Sequence, residues 1–212
     1  MSSEQLRKTA LHGWHVQAGA KMVPFAGFEM PVRYSSDLDE HHCVRNKVGV
    51  FDVSHMGEFV IQGPGALPLL QYITSNDVSK LSPGKVQYSC LPNDQGGIVD
   101  DLLVYQFDEE QYMLVVNAAN IEKDWNWINK HNTFGALLRN VSDEWSLFAV
   151  QGPLAITVLQ KLTDYELATI PYYQFAIAPL AGVEGVLISN TGYTGAGGFE
   201  VYVKNVDAVK VW

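Results

Sequence analysis

Two apolar rhythms alternate along this chain. FVIQ (59–62), VQYSC (86–90), LLVYQF (102–107) and FEVYV (199–203) are short runs of the strand type, rich in β-branched and aromatic residues. GALPLLQYIT (65–74) and IEKDWNWI (121–128) place apolar residues at helical spacing, and Ile121, Trp125 and Ile128 fall on one stripe. The pattern then repeats. FVIQGPGALPLLQYIT (59–74) lies over FAVQGPLAITVLQKLT (148–163) without a gap, and eight of the sixteen positions are identical. Each copy reads as a strand, a Gly-Pro break and a helix, with Pro expected in the first helical turn, where its missing N–H costs little. Strand-like segments follow both copies. The chain is therefore expected to be a duplicated α+β protein.

The fold class that follows is α+β, with two related, intertwined strand–helix–strand subdomains. The expected divisions are 1–50, an N-terminal arm packing on the second subdomain, 51–140, the first copy, and 141–212, the second. NDQGG (93–97) is a turn signal that closes a hairpin. EQLRKTALHGWHVQAG (4–19) reads as a helical start, followed by an irregular arm around MVPFAGFEMPVRY. At the other end, NVDAVKVW begins an amphipathic helix with Asp207 at its N-cap. That helix stops at Trp212, which reads as the edge of a longer protein.

Composition narrows the function. The formal charge is −9, and residues 51–212 hold eight basic against eighteen acidic side chains. Phosphate neutralisation needs clustered Lys and Arg, so the charge argues against nucleic-acid binding. Cys43 and Cys90 make no disulfide framework. The N-terminus lacks the apolar region of a secretory signal, and no apolar stretch reaches the ~20 residues of a membrane helix. A cytoplasmic location is expected.

Candidate chemistry centres on GGIVDDLLVY (96–105). In a strand, Asp100, Leu102 and Val104 point one way and Asp101, Leu103 and Tyr105 the other, so at most one aspartate enters a given pocket. Both could equally be solvated at the strand mouth, and periodicity does not choose. EHHC (40–43) lacks metal-ligand spacing, because adjacent residues cannot converge on one ion, and no metal is expected. DVSH (52–55) has no G-x-S-x-G elbow to support a hydrolase. GYTGAGG (192–198) lacks the order of a phosphate loop and reads as a tight turn with close backbone approach.

MVPFAGFEMPVRY, FDVSHMGEF, NDQGGIVDDLLVY, LVVNAANIEKDWNWI, AVQGP and NTGYTGAGGFEVYV occur together and in this order. In this the chain resembles the folate-binding aminomethyltransferase (T-protein) family of the glycine cleavage system. The resemblance runs from about Lys21 to Trp212. It implies transfer of a one-carbon unit from the aminomethyl-lipoyl arm of the H-protein to tetrahydrofolate, with release of ammonia. It also implies roles for residues: Asp101 as the essential carboxylate, Glu200 as the pterin-binding carboxylate, and Tyr172 and Tyr193 as pocket tyrosines. Met56, Val115 and Asn117 would be further folate contacts, with Tyr88 near the same mouth. The family's GYTGEDG reads GYTGAGG here, while Glu200 keeps its register. A C-terminal domain of the family is absent from these residues. Folate-binding regulators of the same fold and demethylating folate-dependent modules are the alternatives, and neither a regulator's Cys-containing signature nor a flavin domain is seen.

Overall fold

A computed structural model describes residues 5–212. In chain order its main elements are α1 (His12–Gln17), β1 (Lys21–Phe25), β2 (Phe28–Arg33), α2 (Asp37–Asn46), β3 (Gly49–Asp52), β4 (Gly57–Gln62), α3 (Ala66–Ile73), β5 (Val86–Pro92), β6 (Ile98–Asp108) and β7 (Gln111–Val116). They continue with α4 (Ile121–His131), β8 (Leu137–Asn140), β9 (Trp145–Gln151), α5 (Ala155–Leu159), β10 (Phe175–Leu180), β11 (Val183–Ser189), β12 (Gly198–Lys204) and α6 (Ala208–Val211). The backbone forms two compact units. The first joins the chain up to His55 with Glu144–Trp212, and the second is Met56–Asp143. β3 carries residues 49–52 into the first unit's sheet.

Each unit is built on one antiparallel five-stranded sheet. The order is β5-β6-β7-β4-β8 in the second unit and β10-β11-β12-β9-β3 in the first. Place for place the two sheets correspond, with β4 and β9 in the same position and each followed by its helix. The fifth places show how the copies interlock. β3 runs on into β4 but pairs with β9, from Gly49↔Gln151 to Asp52↔Phe148. β8 runs on into β9 but pairs with β4, from Phe59↔Asn140 to Gln62↔Leu137. Each edge strand thus pairs away from the strand it runs on into.

The cores follow the apolar periodicity. In the second unit Phe59 and Ile61 of β4, Leu102 and Val104 of β6, and Leu114 and Val116 of β7 are buried with Leu69, Leu70 and Ile73 of α3 and Ile128 of α4. The Phe59 and Trp125 rings meet edge-on at 5.0 Å. In the first unit Phe148, Val150, Val186, Ile188, Phe199 and Val201 are buried with Leu159 of α5 and Leu11 near the N-terminus. Each such side chain contributes about 1.5–3 kcal/mol by leaving water, which is why the helices stay on one face of their sheet. The NDQGG turn closes β5 onto β6 as expected. Asn93 N–H donates to Gly97 O at 2.8 Å, Asn93 Oδ1 accepts from Gly97 N–H at 2.9 Å, and Gly96 takes φ 78°.

Two expectations need correction, and a third holds in position only. The helical start shrinks to His12–Gln17, because the Arg7 backbone is taken up by β2: Arg7 N–H donates to Gly27 O and Arg7 O accepts from Glu29 N–H, both at 2.9 Å. Glu4 lies outside the described residues. Pro64 and Pro153 stand in the turn before each helix rather than in its first turn. Asp207 holds the N-cap position of α6, but its side chain makes no capping hydrogen bond.

Candidate functional site

Strand alternation on β6 separates the two aspartates as the period requires. Asp100 is buried on the helix side with Leu102 and Val104, while Asp101 is half-buried on the opposite face. Asp101 is held at both oxygens. Its Oδ2 accepts from the Tyr88 phenol at 2.8 Å, and its Oδ1 lies 2.9 Å from the Asn117 amide nitrogen. The strand pairing explains both contacts. Cys90 of β5 is opposite Asp101, so Tyr88 reaches it diagonally, and Asn117 follows the end of β7, whose Val116 faces Leu102. The hydrogen bond to Asp101, with a smaller effect of burial, pushes the Tyr88 phenol up to about 12. Tyr88 therefore stays a donor to the Asp101 carboxyl.

Behind Asp101 lies a second acidic layer. Asp100 Oδ1 accepts from Asn120 at 2.8 Å and from Asn117 at 3.1 Å, so one Asn117 amide joins both aspartates. Asp124 of α4 has no exposed surface, and both its oxygens lack a hydrogen-bond donor, as does Asp100 Oδ2. Burial first, then the hydrogen bond to Asp100 and its charge, push the Asp124 carboxyl up to about 8, against the pull of Lys123. Asp124 was open to discovery from sequence, because it lies on the same helical stripe as Ile121, Trp125 and Ile128.

Val115 sits on the Asp101 face in a cross-strand row, Tyr88↔Leu103↔Val115↔Glu58. Glu58 was not singled out in the sequence. It is fully buried and its Oε2 has no donor, and burial, with Asp143 nearby, pushes its carboxyl well above the usual range. Met56 is half-buried at the start of this unit, just before β4.

In the first unit Glu200 projects from the middle of β12, paired with Ser189 on one side and Ala149 on the other. It is buried, and burial raises its carboxyl, opposed by a hydrogen bond that the Thr191 hydroxyl donates. The Thr191 hydroxyl is also 2.9 Å from that of Ser189. Tyr172 and Tyr193 are both exposed. Tyr173, which sequence reading passed over, is held at φ 61°, and its phenol is raised by burial, then by Tyr172 and Glu200. The glycine-rich turn before β12 makes the close approach its composition implies. Gly198 has φ 136°, and a Cβ there would meet Gln151 Cα at 2.8 Å. Gln151 fastens the turn, accepting from the Thr194 hydroxyl at 2.7 Å and donating to Thr191 O at 3.2 Å.

A duplicated α+β fold with exchanged edge strands and one gripped carboxylate per sheet defines the class of protein. The family model described as the GCVT N-terminal domain matches residues 11–212. The chain belongs to that family. It is 58% identical over 207 residues to an aminomethyltransferase of Flavobacterium psychrophilum, covering 98% of this chain and 58% of that protein. It is 62% identical over 198 residues to an aminomethyltransferase of Bacteroides fragilis, covering 93% and 55% respectively. Among solved structures it resembles the glycine cleavage system aminomethyltransferase T from Bartonella henselae, at TM-score 0.87 and 33% identity over 98% of this chain and 57% of that one. A chain of the heterotetrameric sarcosine oxidase from Corynebacterium sp. U-96 shares the fold, with TM-score 0.64 and 16% identity over 98% and 91%. The chain spans little more than half the length of the curated relatives it matches. Among the described residues no helix is long and apolar enough to cross a membrane.

Proposed function

We propose that this chain is the folate-gripping part of an aminomethyltransferase of glycine cleavage. The donor is an aminomethyl group on the lipoyl sulfur of an H-protein, and the acceptor is tetrahydrofolate. In the transfer the carbon leaves sulfur and nitrogen and becomes bonded to folate N5 and N10. The two N–H protons of the folate end on the departing ammonia and on the lipoyl thiol, so atoms and charge balance. The observation that carries this reading is the grip on Asp101. A carboxylate fixed at both oxygens by Tyr88 and Asn117 needs no reorganisation to stabilise the positive charge that grows on carbon as the amine departs.

Glu200 takes the pterin end in this reading. The N3–H and 2-amino group of a pterin present two parallel donors, which one carboxylate accepts together. Burial of Glu200 makes those bonds count, and Thr191 holds its orientation. Tyr172 and Tyr193 offer aromatic faces to the flat heterocycle, and Met56 and Val115 supply apolar contact. The reaction places the protein in a soluble compartment shared with the H-protein, which for a bacterial-type chain is the cytoplasm.

The test is a tetrahydrofolate titration followed by tryptophan fluorescence, with Glu200→Ala and Asp101→Asn in parallel. It is run on this chain and on a version extended to the length of its relatives. Glu200→Ala is expected to lose binding in both. Asp101→Asn is expected to keep binding and lose most transfer in the extended protein. Undiminished affinity in Glu200→Ala, or near-normal transfer in Asp101→Asn, would refute the assignment.

A further inference from the structure

Asp100 and Asp124 raise a question that the proposed transfer leaves unanswered. The carboxyl groups of Asp100 and Asp124 meet where α4 packs on β6, Asp124 is out of reach of water, and among the described residues the donors to the pair are the Asn117 and Asn120 amides, both on Asp100 Oδ1. Asp100 Oδ2 and both oxygens of Asp124 are left bare. Three buried acceptors without a donor are unstable as an assembly of two anions. One proton shared between an Asp124 oxygen and Asp100 Oδ2 engages two of the three and removes one of the two charges. Two N–H donors already serve Asp100, so the proton belongs on Asp124, which donates it to Asp100 Oδ2.

We infer that Asp124 is a positioning residue: its proton, shared with Asp100, keeps a single negative charge beneath the Asn117 amide and so fixes that amide on Asp101. The chain of contacts is short. Asp124 sets Asp100, Asp100 sets Asn117 and Asn120, and Asn117 sets Asp101 Oδ1. If the shared proton leaves, two anions repel at close range and Asp100 draws the Asn117 amide away from Asp101. The groups facing the pair are Asp101 on β6 and Lys123 on α4. Beyond Asp101 lie the Tyr88 phenol and the Cys90 thiol. Lys123 is engaged elsewhere, donating to Val99 O at 2.6 Å, and Asp101 adds to the cost of a second charge. The value of about 8 for Asp124 puts loss of the proton on the alkaline side of neutrality.

This inference rests on the role proposed for Asp101, but its first test does not use folate. Carboxyl 13C NMR of the protein follows the Asp101 signal, assigned with Asp101→Asn, as pH rises. In the parent chain a second carboxyl is expected to titrate above neutrality and to move the Asp101 signal with it. Asp124→Asn, whose amide mimics the protonated acid and still donates to Asp100, is expected to abolish that alkaline step and leave the fold intact. An Asp101 signal with no alkaline step in the parent, or with the same step in Asp124→Asn, would overturn the inference whatever the protein binds. The second test is the pH profile of transfer in the extended protein. Its alkaline fall is expected to disappear in Asp124→Asn, whereas Asp124→Ala loses about tenfold or more in kcat with little change in KM. An unchanged alkaline fall in Asp124→Asn would overturn the link to Asp101. Absence of transfer in the parent protein would refute the function proposed above and leave the NMR result to decide this inference.

Discussion

Asp52 is the place to test how far a buried polar network holds the first unit together. The side chain is buried at the end of β3. It accepts from Thr9 Oγ1 at 2.8 Å, from His15 Nε2 at 2.9 Å, and from both the N–H and hydroxyl of Ser54. His15 is fully buried too, and its Nδ1 is 2.6 Å from the Tyr34 hydroxyl, so Asp52 fixes the tautomer: Nε2–H donates to Asp52 and Nδ1 accepts from Tyr34. Burial works against the Asp52 charge, but the hydrogen bonds from His15, Ser54 and Thr9 outweigh it and hold the carboxyl below its usual 3.8. Asp52→Ala strands four donors from three residues, one of them a buried imidazole. A buried donor left without its acceptor costs about 1–3 kcal/mol, and about 3 kcal/mol is expected for the network as a whole. For a chain of this size that is a fall in Tm of about 6–12 °C. Asp52→Asn keeps the shape and still accepts from Ser54, so about half that loss is expected. The pH dependence has a definite sign. A carboxyl held below its unfolded value stabilises the fold above about pH 4, and the contribution fades as pH falls through the lowered folded value. The gap between parent and Asp52→Ala should therefore be constant from about pH 5 upward and close in acid. Thermal denaturation by circular dichroism at several pH values measures it. A loss under about 1 kcal/mol near neutrality would refute the reasoning, since it would mean that the network is not coupled to the fold.

Further outcomes follow from other positions. Glu58→Gln should raise Tm, and the gain should grow as pH climbs above about 5: a carboxyl raised by burial costs stability as pH climbs above its unfolded value, and the amide does not. A gain that does not vary with pH would show that Glu58 ionises freely in the fold. Tyr88→Phe removes one donor from Asp101 at a half-exposed position, so a loss of about 1 kcal/mol, or about fivefold in transfer, is expected, with folate binding retained. Gly65→Ala would drive a Cβ into the Phe134 carbonyl and to 2.7 Å from Ala136 N, backbone atoms that cannot move aside, and should cost about 1–3 kcal/mol or prevent folding. Gly13→Ala is the counterpart, because it lies in α1 with open space around it. It should stabilise by about 0.5–1 kcal/mol, read by the same denaturation.

The duplication was legible because its signal is redundant: a Gln-Gly-Pro break and two apolar rhythms, written twice at one offset. The exchange of β3 and β8 was only partly so. GVFD and LLRN are four-residue segments, too short for a periodicity to assign them to one sheet or another, and strand partners are chosen by the whole sheet. The split of Asp100 from Asp101 followed from the period of two, but which of them faced the core depended on where α4 packs. Asp124 was written into the apolar stripe of α4, where an acid among Ile121, Trp125 and Ile128 is the visible sign of a buried charge. Tyr173 and Thr191 carried no such mark, since their importance comes from a left-handed backbone turn and from a neighbour across the sheet. The shortened N-terminal helix was misread for a related reason: the residues from Arg7 onward have fair helix propensity, and a strand further along claims their backbone instead.

The exchanged edge strands also set a timetable for synthesis. Met56–Asp143 is continuous and includes its own fifth strand, so it can complete its sheet soon after Asp143 leaves the ribosome. β3 is made before that unit, yet it finds β9 only after the whole unit has been translated, and that sheet closes with β12. At about 5–20 residues per second, β3 waits roughly five to twenty seconds with its partner unmade. Its Val50 and Phe51, exposed even in the finished fold, are then a bare strand in a crowded cell. Ribosome-bound chains stalled shortly after Asp143 should therefore hold a protease-resistant 56–143 core while the preceding segment remains cleavable, and the stretch around β3 is where a chaperone would earn its place.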